Sequence, residues 1–133
     1  MFCNGLACDY EVGVNLIREL GLPEEKLLPA PKTARELLEL VCSFDIVFGA
    51  RLHSCITSVS LGIPVAGLLW DDKLVYFSNT MNIQQYFSSV GDIDADKVFR
   101  KIENLNSGKI DMANVEEYKQ RTLQNIKRFL YYV

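Results

Sequence analysis

Residues 45–69 constrain the fold of this chain more than any other stretch. Asp45-Ile46-Val47-Phe48-Gly49 is a short run with no polar residue after its first, and 64–69 is a second apolar run. Between them, 52–61 reads as a helix that stops at Gly62 and Pro64. Its small side chains, Ser54, Cys55, Thr57, Ser58 and Ser60, allow close packing on a sheet. Strands that are apolar on both faces are a mark of buried parallel sheets. Strand, helix and strand in so short a span predict a right-handed crossover, with both strands ending at the same sheet edge.

The flanking sequence extends this alternation. Met1-Phe2-Cys3 reads as the tail of a strand ending at the turn-prone Asn4-Gly5 pair. Asp9 caps a predicted helix reaching Leu20, with Val12, Leu16, Ile17 and Leu20 on one face and Gly21 as its stop. A connector holding Lys26-Leu27-Leu28 runs from Pro23 to Pro31. Thr33-x-x-Glu36 is a capping box, followed by Leu37, Leu38, Leu40 and Val41 at helical spacing. Further on, Ile93-Asp94 with Val98 has the spacing of a staple around an Asp cap, opening a helix to Leu105 that Gly108 breaks. Asp111 opens a last long helix with Met112, Val115, Ile126, Phe129 and Leu130 inward. The expected fold is α/β, a Rossmann-like parallel sheet with helices on both faces, in a single domain over 1–133.

Composition excludes several functions. Apolar residues make up 49% and charged residues 23%, the balance of a soluble globular protein. Fourteen Lys plus Arg against 17 Asp plus Glu leave a net charge of −3 with no basic stretch, so nucleic acid is not an expected partner. The apolar runs fall far short of the roughly 20 residues a membrane-spanning helix needs. No basic-then-apolar segment opens the chain, so no signal peptide is expected. Cys3, Cys8, Cys42 and Cys55 form no C-x-x-C pair, and with His53 the single histidine no metal site of familiar spacing arises. The thiols are expected to be structural, Cys42 and Cys55 as small buried hydrophobes, in a reducing cytoplasm.

Open parallel sheets bind ligands beyond the carboxyl ends of their strands. Two segments qualify, Gly49-Ala50-Arg51-Leu52-His53 and Trp70-Asp71-Asp72-Lys73, each read as a loop directly after a strand. Gly49 is read as the sharp turn off the strand. The helix that follows offers N–H groups and the positive end of its dipole to an anion. Arg51 brings a planar fork that fits carboxylate or phosphate at two points. His53 carries an imidazole, the group suited to proton transfer near neutral pH. Lys73 supplies a second positive charge over the same crevice. Arg, His and Lys converging on a helix N-terminus suit a small, highly charged anion.

These residues carry a family resemblance. The stretch from Asp45 through Arg51-Leu52-His53-Ser54, then Leu61-Gly62-Ile63-Pro64-Val65, then Asp72-Lys73, resembles the signature of the polysaccharide pyruvyl transferases. That family reads a strand, G-x-R-L-H, a small-residue helix, G-[IV]-P, another strand and a Y-[DN]-x-K-type turn. The likeness is close over 36–78, looser from Phe2 to Leu28 and weak after Asn79. At Trp70 the chain departs from the usual Tyr. The resemblance implies a two-lobed fold of the glycosyltransferase-B kind, with this chain as a C-terminal lobe lacking its first strand. It implies transfer of a pyruvyl group from phosphoenolpyruvate to two hydroxyls of a sugar, or to a lipid-linked saccharide, of a cell-surface polysaccharide. Gly49, Arg51, Leu52, His53 and Lys73 would bind the donor, with His53 as the catalytic acid, Lys73 stabilising charge and no cofactor needed. The acceptor side would belong to the missing N-terminal lobe, so the isolated chain is expected to be inactive. An uncovered sheet edge near Phe2 would favour a homodimer.

Two alternatives stay open. One is the sugar-nucleotide-binding lobe of a glycosyltransferase or epimerase of the same fold. Such lobes usually carry a ribose-holding carboxylate before the G-x-P strand, and 52–61 has no acidic residue. The other is an inactive binding domain. A phospho-receiver needs paired acids after its first strand, and Asn4-Gly5-Leu6 offers none.

Overall fold

The computed structural model describes residue 2, residues 7–106 and residues 112–131. The expectations resting on Met1, Cys3, Asn4-Gly5, Gly108 and Asp111 fall outside these, and Phe2 belongs to no strand. The chain divides into two compact units, Met1–Ser43 and Phe44–Val133.

In the first unit, α1 (Ala7–Glu19) ends where Gly21 adopts φ +60. There Leu22 N–H donates to the Ile17 carbonyl at 2.9 Å and Gly21 N–H to that of Arg18 at 3.1 Å, the double bond of a left-handed glycine cap. The buried line on this helix is Gly13 and Ile17. Val12, Leu16 and Leu20 are exposed, which corrects the expected apolar face. They form the neighbouring i, i+4, i+8 row, one residue round from the line that is covered. The connector holds a single 3₁₀ turn, Glu24–Lys26. The capping box opens α2 (Ala34–Cys42): Glu36 N–H donates to Thr33 Oγ1 at 3.1 Å, and the Glu36 carboxylate accepts from Lys32 N–H at 2.7 Å. Val41 is fully buried. Cys42 is exposed, contrary to expectation, because one residue further on turns a side chain about 100° round the helix.

The second unit is a three-stranded sheet, β1 (Val47–Gly49), β2 (Val65–Leu69) and β3 (Phe87–Ser89), parallel throughout and in sequential order. The crossovers are α3 (Leu52–Ser60) and α4 (Asp72–Thr80). Right-handed crossovers that step the same way put both helices on one face, and α3 and α4 touch. Helix α5 (Ala95–Asn106) lies against β2 and β3, and the Lys101 ammonium donates to the Phe87 carbonyl. The protein is therefore α/β, an open parallel sheet flanked by helices in the Rossmann manner. Expected start signals act as read: Asp94 Oδ1 accepts from Lys97 N–H at 2.8 Å at the head of α5. Gly62, at φ +75, ends α3, with Ile63 N–H donating to the Ser58 carbonyl at 2.9 Å. Asn82, at φ 56, ends α4 the same way.

Two expectations about burial are corrected. The first strand is not covered on both faces: Phe48 is 45% exposed, because β1 lies at the edge of the sheet and α5 sits against β2 and β3. Helix α6 (Met112–Tyr131) buries Val115 alone of the expected inward set, and Met112, Ile126, Phe129 and Leu130 are exposed. At 20 residues it is about 30 Å long, and only its first half faces α3 and α4.

Two glycines of the sheet have close neighbours, one in a helix and one in the adjoining strands. Gly49 and Gly67 are direct register partners. A Cβ on Gly49 would lie 2.7 Å from Cys55 Sγ, and one on Gly67 would strike the Gly49 carbonyl and lie 2.7 Å from the Phe87 ring. Gly49 is not in the left-handed region, so its role is this missing Cβ and not the sharp turn expected. Gly67→Ala should lower unfolding stability by about 3 kcal/mol, the overpacking range, since backbone as well as a side chain must move. Chemical denaturation followed by circular dichroism measures it.

Candidate functional site

The parallel register brings the carboxyl ends of β1 and β2 to one sheet edge, and the segments after them start α3 and α4. The two helix starts differ. At α4 the Asp71 carboxylate accepts from Lys73 N–H at 2.7 Å, a side-chain cap worth about 1 kcal/mol. Asp72 and Lys73 are thus the first turn of a helix, which corrects the reading of 70–73 as a loop. At α3 the N-cap is Arg51, in extended conformation at φ −112 and ψ 132, and its side chain makes no cap hydrogen bond. A cation at a helix N-terminus runs against the dipole. The positive end of α3 and the Arg51 guanidinium together favour an anion there.

Trp70 ties the two segments together. Its indole N–H donates to the Ala50 carbonyl, and the Arg51 guanidinium carbon lies 5.5 Å from its ring centroid, within cation–π range. The ring is half exposed. The sequence marked Trp70 only as a departure from Tyr. The available signal was its place, directly after a strand.

The other expected residues fall as follows. Gly49 is buried at the end of β1. Leu52 is the first residue of α3 and half-buried, and His53, the second, is exposed. Lys73 is exposed on α4. A cavity of about 540 Å³ between α3, α4 and α6 takes in Leu52 and Lys73, with Ile56, Tyr76, Tyr118 and Lys119 among its walls. Neither Arg51 nor His53 lines it, and no pattern in the sequence pointed to it. Among the described residues, no three His, Cys, Asp or Glu side chains gather as a metal site requires. No helix among them is long and apolar enough to cross a membrane.

These features define a Rossmann-like α/β protein whose parallel sheet presents, at its carboxyl edge, a helix start with an arginine at its N-cap. The chain belongs to the polysaccharide pyruvyl transferase family, which it matches over residues 6–72. The family's activity is pyruvyl transfer onto polysaccharide. The matched stretch includes Gly49, Arg51, Leu52 and His53 and stops one residue short of Lys73. Comparison with curated proteins and with solved structures gives no match.

Cys55, packed under the site against Gly49, is fully buried, as expected. Burial pushes its thiol up from 9.0 to about 12, against a smaller lowering by a backbone hydrogen bond. The folded chain therefore holds the proton more tightly than the unfolded one, so this residue's contribution to stability falls as pH rises from 9.0 towards 12. At pH 8, iodoacetamide should label exposed Cys42 and leave Cys55 unmodified until the chain is unfolded, as read by mass spectrometry of peptides. Rapid native labelling of Cys55 would contradict this placement.

Proposed function

We propose that this protein takes the pyruvyl group from phosphoenolpyruvate and builds it as a cyclic ketal on a sugar of a polysaccharide or its lipid-linked precursor. In this reading the chain is the donor-binding lobe of a two-lobed enzyme, a second lobe carries the acceptor, and the free thiols suit a reducing cytoplasm. The observation that supports it most is the α3 start with Arg51 at its N-cap, inside the stretch matched to the family.

The chemistry asks for what these residues offer. A proton delivered to the methylene carbon of phosphoenolpyruvate leaves positive character at the central carbon. A sugar hydroxyl attacks that carbon and gives up its proton. The bond from the central carbon to the phosphate oxygen then breaks, inorganic phosphate departs, and a second hydroxyl closes the ketal, its proton passing to the phosphate. His53 supplies the first proton and recovers one from a hydroxyl. The first N–H groups of α3, at Leu52 and His53, and the Arg51 fork hold the phosphate or carboxylate oxygens. Lys73 adds charge stabilisation from the head of α4.

Pyruvyl transfer by the complete two-lobed enzyme, measured by phosphate release with a saccharide acceptor, tests the assignment. His53→Ala should lower kcat by roughly 10²–10⁴, the range of a general acid, without unfolding the protein. Arg51→Lys should raise KM for phosphoenolpyruvate by about tenfold, because a point charge cannot replace the fork. Full activity in both variants would exclude this site.

A further inference from the structure

We propose that Trp70 is a positioning residue for the donor: it holds Arg51 in its anion-binding place before the anion arrives. The inference rests on the donor site proposed above. Two separate contacts carry it. The indole N–H fixes the Ala50 carbonyl, which belongs to the peptide leading directly into Arg51, and the indole ring holds the guanidinium itself. One anchors the backbone at the N-cap of α3 and the other anchors the head of the side chain. Both come from the far end of β2, so the place of Arg51 depends on a second strand as well as on its own loop.

The physical effect is preorganisation. An arginine side chain has many rotamers, and restricting them in the folded protein removes that entropy loss from the binding step. A cation–π contact engages the face of the guanidinium and takes up none of its N–H donors. Phenylalanine keeps a ring but has no donor, and leucine has neither. Trp70 is also the only tryptophan in the chain, so its emission reports on this one place.

The test is titration of the protein with phosphoenolpyruvate, followed by tryptophan emission and calorimetry, alongside steady-state kinetics of the complete two-lobed enzyme carrying the same substitutions. In the unsubstituted protein, emission should change saturably with the calorimetric Kd, and Arg51→Ala should abolish that change. Trp70→Phe should weaken donor binding by roughly threefold to fivefold, and Trp70→Leu by roughly tenfold or more, the sizes expected from losing one hydrogen bond and then the ring contact as well. The loss should appear in KM for the donor, with kcat at saturating donor within twofold. Circular dichroism checks that the variants are folded, and Trp70→Phe decides alone if Trp70→Leu is not. A folded variant that binds phosphoenolpyruvate as tightly as the unsubstituted protein overturns the positioning role and leaves the donor site standing. A loss confined to kcat overturns it too. No donor binding by the unsubstituted protein overturns the donor site, and this inference with it.

Discussion

Gly49 and Gly67 lie opposite each other on β1 and β2, and the rest of the second unit depends on the bare backbone there. The helix face carrying Cys55 comes down over Gly49, and the Phe87 ring of β3 lies over Gly67. A methyl group at either position would lift the helix or push the strands apart. The close approach explains the small residues of α3, with Ser54, Cys55, Ser58 and Val59 buried on it. It also explains the inert thiol, since a Cys55 sealed from water resists ionisation. Above all, it sets where α3 begins relative to the end of β1, and that start is the candidate site.

The two helix starts at the sheet edge show one physical rule kept and then broken. At α4 an acidic cap meets the positive end of the dipole. At α3 an arginine occupies the cap position and its side chain makes no cap hydrogen bond. Local preference favours Ser, Thr, Asp or Asn there, so Arg51 places like against like. Proteins tend to depart from local rules of this kind at functional sites. An incoming anion relieves the conflict, and membership of a family that transfers a carboxylate-bearing group fits that reading. Trp70 offsets part of the strain by giving the guanidinium a ring to lie against.

What could be read from the sequence was whatever is written locally. Thr33, Gly21, Gly62 and Asp94 announce helix ends within a turn of their own position, and each acts as read. The β1–α3–β2 segment was legible because apolar runs and a small-residue helix admit few other folds. Strand β3, with the sequence Phe-Ser-Ser, was not, since it has one apolar residue and gains its place only by pairing with β2. Helix α4 was hidden by mixed patterning: Leu74 and Phe77 are buried while Val75 and Tyr76 are exposed. Apolar residues late in α6 read as core, yet they lie beyond the body on which the helix packs. At the site, Arg51, His53 and Lys73 stood out by residue type. The link from Trp70 to Ala50 and Arg51 runs between two strands and has no local signature.

The claim on which this account turns is that a small anion seats on the first turn of α3 beside Arg51. Backbone amide chemical shifts of the isotopically labelled protein, recorded during a phosphoenolpyruvate titration, test it most directly. The account predicts that the largest shifts fall on the amides of Leu52 and His53 and saturate together, with smaller ones at Trp70 across the gap. Saturating shifts confined to another part of the chain, or none at Leu52 and His53, would contradict it.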